Sequence, residues 1–322
     1  MSRLARRAER LAAAGLAMAL VVAACGSDDD ASDATGDGTV SVDAPPTVPA
    51  DTVAPAETVT LVTYESFPEG DTSLNDALAS FTEATGIGVE ILVAGDAGTM
   101  LAKAALTAGN PEGDVMWGID NSLLSRAIAE DVFEPYVATP IADGSVTIAD
   151  EFLELVPDGE ATPVDYGDVC VNYDIAWFAE RDLDPPTSFA DLVDPAYAGT
   201  LVVQNPATSS PGLAFLLATI HEYGLEGWQD YWRALGENGV EVVEGWTEAY
   251  YERSTWAGGG PTPMVVSYGS SPPAEVIFAD PPRDDAPTGV IEDTCFRQIE
   301  FAGVLRGTDS PEPARRLVDF LI

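Results

Sequence analysis

The stretch V-E-V-V-E-G-W-T-E-A-Y-Y-E (240 to 252), followed after a glycine-rich gap by P-M-V-V-S-Y-G-S-S-P-P-A-E-V (263 to 276), writes one pattern twice. In each half a short β-branched run stops at Gly or Ser, an aromatic residue follows at once, and a helix pattern begins, at Trp246 and at Pro272. Strand-to-helix units of this kind build open α/β sheets, and the turn between strand and helix is where such sheets bind ligands. Trp246, Tyr250 and Tyr268 are therefore placed to look into a cleft, with Trp246 and Tyr250, four residues apart, on one helix face. Ordinary core rings would use the same residue types; the position just past the strand ends is what favours a cleft.

Working outward, the same alternation runs upstream. T-V-T-L-V-T (58 to 63) reads as a strand, 73 to 85 as a helix with Leu74, Leu78 and Phe81 on one face, and I-G-V-E-I-L-V (87 to 93) as a second strand. A helix over 100 to 108, a short strand over 114 to 117 and a helix over 121 to 129 complete a β-α-β-α-β-α order, which predicts a parallel sheet with helices on both faces. Beyond a Pro-rich region (130 to 163), strands are expected at 168 to 173, 200 to 203 and 295 to 301, with helices at 189 to 192, 212 to 223 and 225 to 235. No single break in composition divides the chain. The expectation is two lobes joined by chain crossovers near 165 to 173 and 290 to 301: an N-lobe over about 58 to 165 plus the late strand, and a C-lobe over about 174 to 288. The last helix pattern, 313 to 322, stops on F-L-I without a Gly, Asn or basic cap and reads as truncated.

The N-terminus follows different rules. Arg3, Arg6, Arg7 and Arg10 precede an apolar run from Leu11 to Ala24, too short for a bilayer span but suited to an export signal. The run ends V-A-A-C, which resembles the lipobox of bacterial lipoproteins and implies that Cys25 carries the lipid, tethering the chain to the outer face of the cytoplasmic membrane. Residues 26 to 57, without a basic or aromatic residue, read as a disordered acidic tether. Cys170 and Cys295 then remain as an even pair in an oxidising compartment, and a disulfide between them is expected.

The 322 residues carry a formal charge of −40 and one lysine, Lys103. Such a surface repels nucleic acid and anionic lipid, leaving the lipid as the membrane contact; it attracts cations, although acid-rich surfaces also serve solubility alone. The one histidine, His221, sits within a helix pattern, and no Walker A loop, Rossmann glycine triplet, H-E-x-x-H or paired-Cys motif is present. An enzyme is not expected, nor a metal or resident cofactor.

Binding signals are several. T-S-S-P-G (208 to 212) sets Ser209, Ser210 and the amide of Gly212 at a helix start, a seat for an anionic or polar group or a plain cap. S-S-P-P (270 to 273) repeats the device beside Tyr268. Asp120 and Asn121 fall between strand and helix, where Asp120 either caps or meets a cation, and Tyr64 lies just past the first strand. Aromatic faces with a carboxylate suit a flat, positively charged heterocycle.

The pieces V-T-Y-E-S-F, G-D-V-M-W-G-I-D-N-S-L-L, P-V-D-Y-G-D-V-C-V-N-Y-D, Q-N-P-A-T-S-S-P-G-L, V-E-G-W-T-E-A-Y and V-V-S-Y-G-S-S-P, in this order over about 58 to 321, resemble the periplasmic thiamine-binding proteins of bacterial ABC importers. The resemblance implies an α/β two-lobe periplasmic-binding-protein fold, type II-like, with mixed sheets flanked by helices and a crossover hinge. It implies a monomer that closes on thiamine or a thiamine phosphate and hands it to a membrane permease. By that resemblance Tyr64, Trp246 and Tyr268 wall the two rings, Asp120 and Asn121 contact the aminopyrimidine and the cation, and Ser209, Ser210 and Gly212 hold the hydroxyethyl or phosphate end. Tyr250 carries over more weakly, and Asp165 with Tyr166 reads as hinge. The chain departs from the pattern after the first strand, where F-P-E-G-D-T lacks a Trp, at Ala274, where a Tyr is expected, and beyond Ile322. Ferric iron, suggested by the adjacent Tyr250 and Tyr251, and a polyamine are the alternatives within the same architecture.

Overall fold

The computed structural model describes residues 57–70 and 72–322. The export signal, Cys25 and the tether expected over 26 to 57 lie outside the described residues, except Glu57, which already belongs to the first strand. Eight strands form one mixed sheet: β1 (Glu57–Thr63), β2 (Ile87–Val93), β3 (Val115–Asp120), β4 (Thr162–Asp174), β5 (Leu201–Gln204), β6 (Glu241–Val243), β7 (Met264–Tyr268) and β8 (Thr288–Val304), in the order β2-β1-β3-β8-β4-β7-β5-β6. β1 runs parallel to β2 and β3, and β5 parallel to β6 and β7. The contacts between these two flanks, β3 with β8, β8 with β4 and β4 with β7, are antiparallel. The parallel pairing expected from the upstream alternation is found in β1, β2 and β3, and two long returning strands make the sheet mixed, as the family resemblance implied.

The helices are α1 (Ser73–Thr85), α2 (Ala97–Leu106), α3 (Leu124–Ala129), α4 (Thr139–Ala142), α5 (Asp150–Leu153), α6 (Ile175–Glu180), α7 (Ser210–Glu237), α8 (Ser271–Ile277) and α9 (Pro311–Phe320). Local chemistry sets their ends. Thr72 and Asn75 form a reciprocal capping box at α1, and Gly86, at φ 74°, ends it in the left-handed conformation that glycine adopts without a Cβ penalty. Gly224, at φ 71° and ψ 173°, breaks α7 into the two pieces expected from the sequence, and the second folds back on the first, Trp232 Nε1 donating to Thr219 Oγ1 at 2.9 Å. His221 is exposed on this helix rather than turned into an apolar interior.

Successive residues of the parallel strands point to opposite faces, and both faces are covered. On β1, Val62 joins a core with Met100, Leu101, Met116 and Phe301, whereas Val59 and Leu61 meet Phe81, Leu317 and Val318 on the other side. On the second flank Val203, Met264 and Val266 pack with Phe178, Phe215 and Leu235, while Val202 and Val265 face Val243 and Ala249. Strands buried on both faces need apolar residues at every position, which is why these segments read as β-branched runs. Each fully buried side chain of this size contributes about 1.5–3 kcal/mol.

The antiparallel middle is stapled. Between the pairs Val169↔Phe296 and Val171↔Ile291, Cys170 alone opposes the bulge Glu292 to Cys295 on β8. A Cys170–Cys295 disulfide closes this bulge, and the Thr294 hydroxyl accepts from the Val171 N–H at 2.9 Å while donating to the Ile291 carbonyl at 2.6 Å. Cross-linking across so long a stretch of chain removes unfolded-state entropy worth up to about 4–5 kcal/mol.

Candidate functional site

Where β1, β3 and β8 of one flank meet β4, β7 and α7 of the other, the strand ends leave a cleft. A cavity of about 340 Å³, of the size small-molecule sites occupy, is lined by Tyr64, Asp165, Trp246, Tyr268, Gln298 and Glu300 among others. A void of about 10 Å³ continues it toward Asp96, Ser210 and Pro211, sharing Tyr64, Trp246, Tyr268 and Glu300. Neither lining includes a Lys, Arg or His.

The aromatic walls are built by close approach. The Tyr64 ring lies against Gly118, where a Cβ would overlap it and where φ is +115°; Gly118 marks the register shift between Trp117 and Ile119 on β3. Tyr64 is propped by Phe67 at 5.8 Å, and Phe67 by Trp117 at 5.4 Å. Opposite, the Trp246 indole is held by a hydrogen bond from Nε1 to Ser267 Oγ at 2.9 Å, itself joined to Ser271 Oγ at 2.9 Å. Trp246 stands 6.2 Å from Tyr268 at a 53° tilt.

Below the rings lies a row of acids. Register pairs Glu300 on β8 with Asp120 on β3 and with Asp165 on β4. Like charges directly opposite on neighbouring strands are destabilising, so such a row needs a counter-charge or a proton. Burial, then the charges of Asp165 and Asp120, push the Glu300 carboxyl well above the usual carboxylate range. Burial likewise raises Asp120, against hydrogen bonds from Ser122 and Leu123 and a facing Ser210, and raises Asp165, which lines the cavity although its residue surface is open toward the cleft mouth. Asp96, the N-cap of α2, is raised by burial too, against the Ala97 N–H and the facing Ser209 and Trp246 N–H. Tyr64 and Tyr268 are raised by burial first and then by these same carboxylates.

Polar atoms around the cleft are left without partners. Asp96 Oδ2, Trp117 Nε1, Asp120 Oδ2, Ser209 Oγ and Gln298 Oε1 are buried and make no hydrogen bond. Native proteins leave few such atoms in their interiors because each costs about 1–3 kcal/mol, more when charged. Five of the eleven such atoms among the described residues lie around this cleft.

The sequence-derived set divides. Tyr64, Ser210, Trp246 and Tyr268 line the cleft; Asp120 lies behind Glu300, fully buried. Ser209 is the N-cap of α7, yet its hydroxyl caps nothing. Gly212 serves packing: a Cβ there would overlap the Gln204 carbonyl of β5. Asn121 is engaged elsewhere, its Nδ2 donating to the Arg297 carbonyl and its Oδ1 accepting from the Ile299 N–H, both at 3.1 Å. Tyr250 stacks on the far face of Trp246, centroids 4.7 Å apart at 19°, and lines a separate hollow. Glu300, Gln298, Asp96 and Trp117 were not singled out by sequence reasoning, and Asp165 was read only as hinge. In Q-I-E-F-A, Gln298 and Glu300 alternate with buried Ile299 and Phe301, the signature of a solvated face; a cleft wall carries the same signature.

Two parallel flanks joined by returning strands, with an acid-floored, ring-walled cleft at the strand ends, define a protein that encloses a small solute. Residues 112–321 match the family model described as bacterial extracellular solute-binding protein, and the chain belongs to that family. Its members are solute binders working outside the cytoplasm. The chain is 30% identical over 221 residues to the thiamine-binding periplasmic protein of Brucella suis biovar 1, covering 69% of this chain and 61% of that protein. It is 26% identical over 265 residues to the thiamine-binding periplasmic protein of Salmonella typhimurium, covering 82% and 75%. The chain thus spans 61% of the length of the Brucella relative. A solved structure titled periplasmic thiamin binding protein superposes with a TM-score of 0.67 at 24% identity, over 82% of this chain and 77% of that one. An iron-bound binding protein of Pseudomonas aeruginosa superposes at 0.59 and 18% identity, over 82% and 80%. These likenesses show the periplasmic-binding-protein fold.

Proposed function

We propose that this chain is the solute-binding component of an ABC importer, capturing thiamine in the cleft and delivering it to a membrane permease. The observation that carries the reading is the pairing of three ring faces, Tyr64, Trp246 and Tyr268, with the acid row Asp120, Glu300 and Asp165, in a cavity whose lining has no cationic side chain. A planar cation satisfies both: its faces stack on the rings, at about 0.5–2 kcal/mol per desolvated cation-π contact, and its charge offsets the acids. Names of relatives from Brucella and Salmonella point to the same ligand. In this reading β4 and β8 near the disulfide are the hinge between the N-lobe and the C-lobe, Cys25 carries the lipid anchor, the acidic tether spans the gap to the membrane, and the protein works as a monomer.

The ferric reading loses support. The Tyr250 hydroxyl is committed to Glu275, Tyr251 is exposed, and among the described residues no three His, Cys, Asp or Glu side chains converge to hold a metal ion. A polyamine remains a second reading, favoured by the acid row. Titration calorimetry with thiamine, spermidine and ferric citrate decides: saturable thiamine binding not displaced by spermidine supports the proposal. Spermidine binding alone would reassign the cleft.

A further inference from the structure

We infer that Asn121 is a positioning residue: its carboxamide stands in for the backbone that β3 stops supplying to β8, and so fixes the segment that presents Gln298 to the cleft. This rests on the cleft binding thiamine as proposed above, and it replaces the ligand contact that the resemblance assigns to Asn121.

β3 and β8 pair antiparallel as far as Asp120↔Glu300. In a regular antiparallel ladder Asn121 and Ile299 would next exchange two backbone hydrogen bonds, and Leu123 and Arg297 would follow. Backbone makes only the first of these, the Asn121 N–H donating to the Ile299 carbonyl at 3.0 Å. The chain then turns into α3, and the Leu123 N–H is spent inside that turn, on the Asp120 carbonyl at 3.0 Å and Asp120 Oδ1 at 3.1 Å. The Asn121 side chain supplies what is missing. Its Oδ1 accepts from the Ile299 N–H at 3.1 Å in place of a backbone carbonyl, and its Nδ2 donates to the Arg297 carbonyl at 3.1 Å in place of the Leu123 N–H. One acceptor and one donor in a plane is the chemistry of a peptide group, which among side chains an amide reproduces.

The residue between the two clamped positions is Gln298. On its other edge it lies opposite Gly167 of β4, so Asn121 holds the one side of this segment that no strand covers. Alternation along β8 turns Gln298 and Glu300 to the cleft and Ile299 and Phe301 into the core. From there the buried Gln298 amide donates to Ser210 Oγ of the opposite flank and to Glu300 Oε1, both at 3.1 Å. A segment free to shift at 297 to 299 would move both bonds at once, and with them the cleft floor.

Amide hydrogen exchange and thiamine calorimetry on the full chain test this. Asn121→Ala leaves the turn's own hydrogen bonds in place; exchange of the Ile299 amide should quicken at least about tenfold, and the thiamine dissociation constant should rise at least about fivefold. Asn121→Asp, which keeps the acceptor and loses the donor, should restore most of the Ile299 protection. In a Gln298→Ala background, Asn121→Ala should weaken binding by less than about twofold, because the side chain through which it acts is gone. Unchanged Ile299 exchange would mean that no clamp exists. Quickened exchange with affinity held within about twofold would make Asn121 purely structural, and a full additive loss in the Gln298→Ala background would return it to direct contact with the ligand. Each of these overturns the inference and leaves the thiamine reading standing. If the unaltered chain takes spermidine and not thiamine, that reading falls alone, and the same comparisons run with spermidine decide the role of Asn121.

Discussion

Trp246 separates two hollows of unequal size and opposite character. On one side lies the cleft of about 340 Å³; on the other, walled by Tyr250, Tyr251, Trp256 and Phe278, lies a hollow of about 700 Å³. The larger one is better finished chemically, although its Trp256 Nε1 is buried without a partner. The Tyr250 hydroxyl donates to Glu275, whose second oxygen accepts from Thr288 Oγ1 at 2.6 Å, and the rings close around each other edge to face. In the cleft, acids face one another across three strands and buried donors and acceptors stand unused. Volume therefore does not mark the site. Polar groups buried at a cost, and left for something else to complete, mark it.

That contrast breaks first at Glu300. Glu300→Gln keeps the amide geometry toward Gln298 but removes the central charge of the row, and thiamine affinity should fall by about 30- to 100-fold, or about 2–3 kcal/mol. The empty protein should move the other way at pH 7, melting at a higher temperature because an amide neither repels its neighbours nor has to take up a proton on folding. A variant that loses affinity and stability together would mean the acids hold the fold and not a ligand.

Trp246→Ala is the next largest. It removes a ring wall of the cleft, and the thiamine dissociation constant should rise at least tenfold, about 1.4 kcal/mol; Tyr251→Ala, in the larger hollow, should shift it by less than about twofold. Equal losses at the two positions would place the ligand on the other side of the indole.

The pH dependence sharpens the same point. With burial and its neighbours holding Glu300 protonated above the usual carboxylate range, the empty native state binds more protons than the unfolded chain. This contribution to stability is fully present below the ordinary glutamate pKa, about 4.3, and is lost as pH rises through the raised value. A bound cation favours the ionised acid, so capture should release protons and weaken as pH falls through the raised value. Calorimetry in two buffers of different ionisation enthalpy reads the release; heats that do not change with buffer would sink the account.

Much of the architecture was legible because burial on both faces writes itself as apolar runs. The α1 and β2 spans coincide with the expected residues. The antiparallel middle was harder, since β8 runs Thr288–Val304 through exposed Glu292 and Asp293, where the apolar pattern lapses. The ring walls announced themselves as aromatics past strand ends. The acid floor did not: Asp165 and Glu300 become neighbours only through the register of two strands far apart in sequence, which no local pattern encodes.

The smallest effect tests the finished hollow. Tyr250 was carried over as a ligand contact, yet its ring backs Trp246 and its hydroxyl is spent on Glu275. Tyr250→Phe keeps the stacked ring and deletes only that hydroxyl, so thiamine affinity should stay within about twofold. Glu275 keeps Thr288 as a donor and, lying half-buried, regains water, so stability should fall by only about 1 kcal/mol. A thermal melt and a binding isotherm on one preparation separate the two readouts. If affinity collapses while the melt is unchanged, the phenol touches the ligand, and the boundary drawn at Trp246 moves outward to include the larger hollow.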